Sequence, residues 1–402
     1  MKKVLIVTYG GGHVNLMVPV YRLLPDTLDT SYVGLSIAGP VLERAGIPYT
    51  NYSSYADRIM DADALRFGEE LAARWHVEGK VPREESVAYL GCGMRDLVRT
   101  EGEAVARERL DTLGRKAFVP TWTMERIIDA ERPDLIVTTN SPRSERAATL
   151  IGNAKGIPTL NIHDGLAFEE RHHLTADRLA VMCGITRDNL IRTGHDAARI
   201  TITGQPAFDP IVREIEEFDR DALCRRHGLD PAGRYILFGS QRQVDEALLV
   251  GVIDTVERAM PGHRLLVKPH PGEDPAMFEH VLASRGGFSF FRDVPIRELI
   301  CASDLMVSLW STISLEAVLM RRPLIQLNLP GLPNTNPLYD FGVALEAPSL
   351  DALGGHMQDV LNGNNGFMES FLAQREAVFS RLLTGRSAEA VANLITSMAA
   401  EA

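Results

Sequence analysis

Residues 3–20 read KVLIVTYGGGHVNLMVPV, and this stretch decides the class of fold. The apolar run at residues 4–7 has the length and composition of a buried β-strand. Glycines at residues 10–12 predict a tight turn, and Leu16 and Val20 then recur at the spacing of one helix face. A strand that turns directly into a helix begins a β-α-β unit, so the sequence predicts an α/β protein.

The same alternation continues along the chain. Further strands are predicted at residues 31–37, 135–139, 159–162, 178–182, 199–203, 235–239, 264–268, 305–308 and 323–327. Helical patterns lie between them, among others at residues 40–45, 121–130, 245–259, 275–283 and 314–320. Short strands separated by helices predict parallel, doubly wound sheets, and the pattern begins afresh near residue 235. We therefore expect two Rossmann-like α/β domains.

Compositional changes along the chain define the expected domain boundaries. Residues 55–118 are charged and helix-favouring, and we interpret them as a helical insertion in the first domain. Residues 204–234 are rich in Pro, Asp and Arg and are interpreted as a hinge. The prediction is a first domain at 1–204, a second at 205–385, and a final helix at 386–402 that returns to the first.

Composition and charge limit the classes of function. The chain has 402 residues, 45% hydrophobic and 24% charged, as soluble globular proteins do. A net charge of −11 argues against nucleic-acid binding, which needs a basic surface. No apolar run approaches the ~20 residues that span a membrane, so no transmembrane segment is expected. The cysteines Cys92, Cys183, Cys224 and Cys301 lie far apart, which favours reduced thiols in a cytoplasmic protein.

Two loops of the first half carry candidate functional residues. Gly11, Gly12 and His13 lie between a strand and a helix. Glycines there let a ligand approach the backbone, and the N-terminus of a helix favours a negatively charged ligand. The alternative is a tight βα turn without a ligand. Asp164 follows a later strand, and ligands bind at the carboxyl ends of such strands. Its carboxylate suits a general base for a hydroxyl group, and the alternative is that it caps a turn.

The second half places polar residues after two of its strands. Gly239 and Ser240 end the first strand, and we assign them to ligand binding at that strand end. Lys268 ends the next strand, and His270 follows it between two prolines, the second of which is Pro271. Prolines limit the freedom of the backbone, so the imidazole of His270 is held for a phosphate or a departing nucleotide. The alternative is a proline-rich turn with an incidental histidine.

A third group follows the strand at 305–308. Ser311, Thr312 and Ser314 are hydroxyl residues at the start of an apolar helix. Hydroxyl and N–H groups at a helix start suit phosphate oxygens without a metal. Glu316 lies in the first turn of that helix and is assigned to a ribose. Capping of the helix by Ser311 or Ser314 is the alternative.

The sequence predicts neither a metal nor another cofactor. Asp61 and Asp63 form a D-x-D pattern, but they lie in the charged helical segment, which favours a solvated helix face. His172 and His173 are adjacent, so their side chains point apart and do not form a metal site together. P-loop, nucleophile-elbow and zincin motifs are absent from the sequence.

These motifs, in this order, resemble the GT-B glycosyltransferase superfamily over nearly the whole chain. The resemblance implies two Rossmann-like domains that face a central cleft. Within the superfamily it is closest to bacterial sialyltransferases, polysialyltransferases and Kdo transferases, which use CMP-activated acidic sugars. Those enzymes carry an acidic motif ending in Gly with the base, a His-Pro motif, and a Ser/Thr pair at the donor phosphate. Residues 163–165, 270–271 and 311–312 stand at the corresponding places.

The chain also resembles UDP-N-acetylglucosamine 2-epimerase. Residues 201–209, TITGQPAFD, match its segment entering the second domain, and residues 163–165 take the position of its catalytic Glu-Ala-Gly. Its His-Arg-x-Glu-Asn motif is replaced here by residues 240–244, SQRQV, and its Asp-Ser-Gly-Gly loop by residues 309–312, LWST. Both departures favour transfer over epimerisation.

The GT-B resemblance implies an inverting, metal-independent glycosyltransferase. Its donor is a nucleotide sugar, including a CMP-activated acidic sugar such as a sialic acid or Kdo, and its acceptor is a hydroxyl of a glycan, a lipid-linked molecule or a protein. The first domain then holds the acceptor with Asp164 as base, and the second holds the donor with His270 at the phosphates. Epimerisation and nucleotide-sugar binding without catalysis are the two alternatives, and CDP-glycerol-type transferases are a variant with a similar His-Pro motif.

Overall fold

The structure is a computed structural model that describes residues 1–140, 142–168, 174–270, 272–332, 334–363 and 366–402. The chain divides into two compact units, residues 1–207 with 386–402, and residues 208–385. Each unit contains one six-stranded sheet, as far as the described residues show. The predicted class, two Rossmann-like α/β domains with a helical insertion in the first, is confirmed.

The sheet of the first unit is parallel throughout. Its strands are β1 (Lys2–Tyr9), β2 (Leu28–Leu35), β3 (Leu135–Thr139), β4 (Thr159–Ile162), β5 (Arg178–Val181) and β6 (Ile200–Ile202). They lie in the order β2-β1-β3-β4-β5-β6. From Val4 onward every residue of β1 is buried, as expected for a strand covered by helices on both faces.

Helices connect these strands and also form the insertion. The helices are α1 (Gly12–Tyr21), α2 (Gly39–Ala45), α3 (Ala56–Ile59), α4 (Ala62–Trp75), α5 (Arg83–Glu101), α6 (Glu103–Leu113), α7 (Thr121–Glu131), α8 (Arg143–Ala154) and α9 (Gly184–Arg192). The charged segment at residues 55–118, predicted to be a helical insertion, contains α3, α4, α5 and α6. Gly102 has φ 82°, a conformation open to glycine but strained for other residues, and it separates α5 from α6.

The sheet of the second unit is also parallel. Its strands are β7 (Arg234–Gly239), β8 (His263–Lys268), β9 (Phe288–Phe290), β10 (Leu305–Ser308), β11 (Leu324–Leu327) and β12 (Leu345–Ala347). They lie in the order β12-β11-β10-β7-β8-β9. The register pairs Gly239 with both Lys268 and Ser308, so the carboxyl ends of β7, β8 and β10 are level.

The segment predicted as a hinge contains two helices. The helices of the second unit are α10 (Asp209–Glu217), α11 (Arg220–Arg226), α12 (Glu246–Ala259), α13 (Pro275–Ser284), α14 (Ile296–Ala302), α15 (Ile313–Leu319), α16 (Leu350–Leu361) and α17 (Phe367–Phe379). Asp219 caps α11 by accepting from the N–H groups of Asp221 and Ala222. Proline stands in the first turn of α10. Helix starts therefore account for much of the Pro and Asp content of the segment.

The last helix, α18 (Ser387–Glu401), belongs to the first unit. Val391 and Ile395 are fully buried in a hydrophobic cluster that also contains Val4, Ile6 and Leu160 of the first sheet. Across the described ranges of the chain, no helix is both long and apolar enough to cross a membrane.

Candidate functional site

The turn between β1 and α1 has no room for a side chain at Gly10. A Cβ atom at Gly10 would lie 2.7 Å from the backbone carbonyl carbon of Ile37, closer than real Cβ contacts. Gly11 follows with φ 73°, in the left-handed region that favours glycine. The run of glycines is therefore required by packing and backbone conformation at Gly10 and Gly11, and Gly12 begins α1.

Asp164 lies beside the start of α1. A Cβ atom at Gly12 would lie 3.9 Å from Asp164 Oδ2, so the bare backbone of Gly12 faces this carboxylate. The loop after β4 is held by α9, because the Thr186 hydroxyl donates to the Gly165 carbonyl at 3.2 Å. The side-chain amide of Asn189 donates to the Leu166 carbonyl at 2.8 Å. The structure thus brings together the two loops of the first unit that the sequence singles out.

His13 is held by a buried carboxylate that the sequence analysis missed. Its Nδ1 lies 3.2 Å from Glu145 Oε1 and 2.8 Å from Thr139 Oγ1. Glu145 is 0% exposed and also accepts from the backbone N–H groups of Tyr9 and Thr139, at 3.0 and 3.1 Å. Its position in the first turn of α8, just after β3, is the signal that could have identified it.

The charges around His13 favour its protonated form. Burial alone lowers the pKa of a histidine, but the hydrogen bond and negative charge of Glu145 outweigh burial here. The charge of Asp164 acts in the same direction, and Arg143 opposes it. The pKa of His13 is therefore raised above its ordinary value.

Arg143 adds a cation to this part of the first unit. It begins α8 with φ 53°, a conformation uncommon for a side chain of its size. Its guanidinium carbon lies 4.0 Å from the centre of the Tyr9 ring, within cation–π distance. Arg143 was not among the predicted site residues, because the local sequence pattern does not show in which direction a side chain points.

His270 presents one ring nitrogen outward in the second unit. The backbone N–H of Gly272 donates to its Nδ1 at 3.0 Å, so in the neutral ring the proton is on Nε2. The backbone N–H of His270 in turn donates to Glu273 Oε2 at 2.5 Å. The residue is exposed, and its Nε2–H is suited to donate to a ligand oxygen. Pro271 lies outside the described residues.

Ser240 and Glu273 connect the ends of β7 and β8. The Ser240 hydroxyl donates to Glu273 Oε1 at 2.7 Å, and its backbone N–H donates to the Lys268 carbonyl at 2.9 Å. Gly239 is closely packed, since a Cβ atom there would lie 2.5 Å from Ile313 Cδ1. Both residues therefore stabilise the strand ends in this structure, and their assignment to ligand binding stays a prediction.

Lys268 does not present its ammonium group with His270. Its Nζ donates to the carbonyl of Val294 at 2.8 Å and also to that of Arg292. Burial lowers the pKa of this lysine. The side chain fixes the loop after β9, and a role in donor binding stays a prediction.

The hydroxyl residues before and in α15 differ in their surroundings. Ser314 is fully buried, and its hydroxyl lies 2.6 Å from that of Ser308. Thr312 is exposed and Ser311 is half-buried at the carboxyl end of β10. Ser314 is therefore used within the protein, and the assignment of Ser311 and Thr312 to a ligand stays a prediction.

Glu316 is engaged in an ion pair. Arg297 Nε donates to its Oε2 at 2.6 Å, and the same guanidinium lies 3.1 Å from Glu214 Oε2. Burial raises the pKa of Glu316 although Arg297 opposes this. The carboxylate thus joins α15 to α14 and α10, and contact with a ribose stays a prediction.

Arg242 is a cation near His270 that the sequence analysis did not select. A Cβ atom at Gly272 would lie 2.2 Å from Arg242 Nη2, so the guanidinium rests on the backbone of Gly272. Arg242 is exposed and follows β7 by three residues. Its place within residues 240–244, after a strand end, was the available signal.

The predicted absence of a metal remains a prediction. Asp61 of the D-x-D pattern caps α4 by accepting from the Ala64 N–H, and its Oδ2 lies 2.8 Å from Arg99 Nη2. Within the parts of the chain that the structure describes, no group of three His, Cys, Asp or Glu side chains is arranged to hold a metal ion. His172 and His173 lie outside the described residues.

No model of a protein family matches the sequence, and no curated protein matches it. Solved structures are similar over nearly its whole length. One is a UDP-GlcNAc 2-epimerase from Neisseria meningitidis bound to UDP-GlcNAc, with a TM-score of 0.66, 13% identity, and coverage of 98% of this chain and 100% of that one.

Two further structures represent both kinds of enzyme. A UDP-GlcNAc 2-epimerase from Methanocaldococcus jannaschii in complex with UDP-GlcNAc and UDP has a TM-score of 0.61 at 14% identity, covering 98% and 99% of the two chains. A glycosyltransferase from Rickettsia africae has a TM-score of 0.59 at 11% identity, covering 100% and 98%. The chain therefore has the GT-B type of fold, two Rossmann-like units, that UDP-GlcNAc 2-epimerases and glycosyltransferases share.

Proposed function

We propose that this protein is a nucleotide-sugar enzyme, and specifically an inverting glycosyltransferase that needs no divalent metal. One observation carries the proposal: the Asp164 carboxylate faces the bare backbone of Gly12 and the His13 imidazole, at the carboxyl edge of a doubly wound sheet. Ligands bind at that edge in such sheets. Proteins of the same fold bind UDP-GlcNAc, which supports a nucleotide sugar as the donor.

In the proposed reaction, Asp164 takes the proton of the acceptor hydroxyl. The acceptor oxygen then forms a bond to the anomeric carbon of the donor sugar, and the bond from that carbon to the nucleotide phosphate breaks on the opposite face. A carboxylate within hydrogen-bond reach of the hydroxyl is the requirement for this step. The donor class includes CMP-activated acidic sugars, and the acceptor is a glycan, a lipid-linked molecule or a protein.

The phosphates of the donor are assigned to the second unit. The nucleotide leaves as an anion, so the site must stabilise negative charge that grows as the bond breaks. His270 Nε2–H and the guanidinium of Arg242 are exposed beside Gly272, and Ser311 and Thr312 add hydroxyl groups at the end of β10. These groups bind phosphate oxygens without a metal.

Epimerisation is the second candidate, because several solved structures of this fold are UDP-GlcNAc 2-epimerases. The two reactions differ in the bonds that break. Inversion at C2 breaks the C2–H bond, so an epimerase exchanges that hydrogen with solvent. A transferase leaves it in place. Incubation with UDP-GlcNAc in deuterated water, followed by mass spectrometry of the recovered sugar, distinguishes the two reactions for that donor.

The first experiment is a screen of CMP-, UDP-, GDP- and CDP-linked sugars. Donor binding is measured as a rise in melting temperature, and catalysis as donor hydrolysis or transfer, with and without EDTA. Hydrolysis that is abolished by EDTA and restored by magnesium or manganese would contradict metal independence. Stabilisation without any turnover would favour the third candidate, a binding protein without catalysis.

The role of Asp164 is tested by Asp164→Asn, which keeps the shape and removes the basicity. We expect kcat to fall by about 10²–10⁴-fold, with donor affinity nearly unchanged. The exposed Asp26→Asn is the matched control and retains full activity. A fully active Asp164→Asn enzyme with normal folding would refute the assignment.

The role of His270 is tested on one His270→Ala sample by melting temperature and kcat together. Loss of one donor to the developing charge costs about 10²–10³ in rate, so turnover falls more than donor binding. A lower melting temperature with unchanged turnover would instead make His270 a structural residue of its turn.

A further inference from the structure

Arg143 is a half-buried cation at the carboxyl edge of the first sheet, and the reaction proposed above gives it no role. It follows β3, and its guanidinium carbon lies 4.0 Å from the centre of the ring of Tyr9, the last residue of β1. β1 lies between β2 and β3, so the chain leaves β1 toward β2 and returns on the other side as β3. Ligands bind at such switch points of doubly wound sheets, and Arg143 therefore lies where a ligand is expected.

The loops at this edge contain residues with a backbone conformation that is uncommon outside glycine. Ser36 follows β2 with φ 57°, Asn140 and Arg143 follow β3 with φ 45° and 53°, and Ala167 lies in the loop after β4 with φ 55°. Such conformations cost free energy and are found preferentially at binding and active sites. The strain at this edge therefore supports a ligand site that includes the start of α8.

The positive charge of Arg143 has no carboxylate partner within the described ranges of the chain. Glu145 contributes negative charge, but its carboxylate lies 3.2 Å from the imidazole of His13. The Tyr89 hydroxyl forms a hydrogen bond with the guanidinium. Among the described side chains, Arg143 has no nitrogen that is both buried and unpaired, so the nitrogens that Tyr89 does not engage are open to solvent. These N–H groups are available to a ligand.

The chemistry of a guanidinium selects an anionic ligand. It donates hydrogen bonds and accepts none, and its parallel N–H groups match the two oxygens of a carboxylate or a phosphate. A neutral hydroxyl group offers neither the second oxygen nor the charge. The imidazole of His13 lies beside the same Tyr9 ring, with 6.4 Å between the ring centres, so its protonated form adds to the positive charge.

We propose that Arg143 binds an acidic group of the acceptor, a carboxylate or a phosphate, and thereby makes the enzyme select acidic acceptors. The assignment of this ligand to the acceptor rests on the proposed function, in which the first unit holds the acceptor and Asp164 takes the proton of its hydroxyl. Asp164 lies on the loop after β4, the neighbour of β3. Its carboxylate attracts the hydroxyl and repels the acidic group, which is thereby directed to Arg143.

The binding test compares three probes that differ only at C6: methyl glucoside, methyl glucuronoside and methyl glucoside 6-phosphate. Dissociation constants are measured on the full chain without a donor, from the NMR signals of the His13 ring. These signals report on the first unit, whereas phosphate binding near His270 does not affect them. We expect at least one acidic probe to bind about tenfold more tightly than the neutral one. Equal affinity for all three probes, or no binding of any, would overturn the proposal.

Substitutions at Arg143 test whether this residue causes the preference. Arg143→Gln removes the charge and is expected to abolish the preference while binding of methyl glucoside is retained. Arg143→Lys keeps the charge without the paired N–H groups and retains part of it. Arg132→Gln is the matched control, because Arg132 also has a positive φ, 50°, but is exposed and precedes β3 at the opposite edge. A lower melting temperature with all three probes weakened equally would make Arg143 a structural residue and overturn the proposal.

Transfer assays separate this proposal from the proposed function. Arg143→Gln is expected to raise KM for acidic acceptors and to leave kcat nearly unchanged. Transfer to neutral and acidic acceptors with equal kcat/KM would refute the acidic-group site and leave the transferase standing. Acid-selective binding that depends on Arg143, without turnover of any donor, would refute the proposed function and leave the site standing.

Discussion

The carboxylate that holds His13 has no exposed surface, and this has measurable consequences. Glu145 is 0% exposed and lies 3.2 Å from the imidazole Nδ1. A histidine whose pKa is raised in the folded state stabilises that state most fully below its unfolded pKa. This contribution is then lost as the pH rises through the raised pKa of His13.

Glu145→Gln is expected to lower the pKa of His13, because the amide keeps a hydrogen-bond acceptor but removes the negative charge. NMR titration of the His13 ring protons measures the change. Asp164→Asn is the matched control and lowers the pKa less, since the Asp164 charge contributes less than Glu145 does. An identical titration curve in Glu145→Gln and the wild type would contradict this account of the pair.

Glu85 gives a pH dependence of the same sign as His13, but for a different reason, because here burial penalises the charged form of the side chain. Its pKa is about 8 in the folded protein against an ordinary value of 4.5. Between these values the folded state binds more protons than the unfolded state, so the free energy of unfolding decreases as the pH rises. Glu85→Gln lacks this loss, and its stability relative to the wild type increases between about pH 5 and about pH 8.

Urea unfolding of both proteins across that range measures the difference. Glu108→Gln removes an exposed carboxylate that takes no part in the Glu85 shift and is the control, with a difference from the wild type that stays nearly constant. A Glu85→Gln difference equally independent of pH would show that the Glu85 carboxyl is not held neutral.

The sequence predicts where the candidate site residues lie better than it predicts the contacts of their side chains. Asp164 and His270 were selected because they follow strands, and parallel strands end at one edge. Glu145, Glu273 and Arg242 were missed, because their contacts depend on the direction in which a side chain turns after the strand or helix has formed. Ser314 and Glu316 lie at the predicted place, but their side chains contact Ser308 and Arg297.

Among the helices, α4 and α5 pack closely against each other, and two glycines make this close packing possible. A Cβ atom at Gly91 would lie 1.9 Å from the Ala64 carbonyl oxygen, and one at Gly68 would lie 2.3 Å from that of Val87. Both obstacles are backbone atoms, which cannot move aside as a side chain does.

Gly91→Ala is expected to destabilise the protein by about 1–3 kcal/mol, the usual cost of overpacking. Gly355→Ala is the matched control, because Gly355 is an exposed residue inside α16 with no atom within 4 Å of the added methyl group. That change stabilises by about 0.5–1 kcal/mol, since alanine favours the helix. Urea unfolding of both variants measures the effects, and equal stability of the two would contradict the close crossing.

Two kinds of feature could not be predicted from the sequence, for different physical reasons. β9 and β12 have three residues each, too few for an alternating pattern to be recognised. The prediction for residues 55–118 gave a helical segment without its internal boundaries, because glycine within a helical pattern is tolerated and only the φ of Gly102 shows where α5 ends.

At the scale of the whole molecule, the first unit is completed by α18. Val391 and Ile395 are fully buried, and burial of one such side chain is worth about 1.5–3 kcal/mol. Several of them together approach the total stability of about 5–15 kcal/mol that a domain has. The second unit is contiguous in sequence over residues 208–385 and has its own hydrophobic cluster.

Truncation after Gly385 is therefore expected to destabilise the first unit and leave the second folded. Hydrogen exchange followed by mass spectrometry measures the two units separately in one sample. Faster exchange is expected in β1 and β4, with unchanged protection in β7 and β8. Equal acceleration in both sheets, or none in β1, would contradict the assignment of α18 to the first unit.

The first unit is built from two separate parts of the sequence. This affects when the unit can fold during translation. Most domains fold as units, and the part made first usually folds first. Here the chain that forms the first sheet emerges early, but its core lacks Val391 and Ile395 until residues 386–402 have been translated. The second unit is fully synthesised before that point. The apolar face that α18 later covers is therefore exposed while nearly half the chain is still being made, and a nascent chain in this state is a substrate for chaperones.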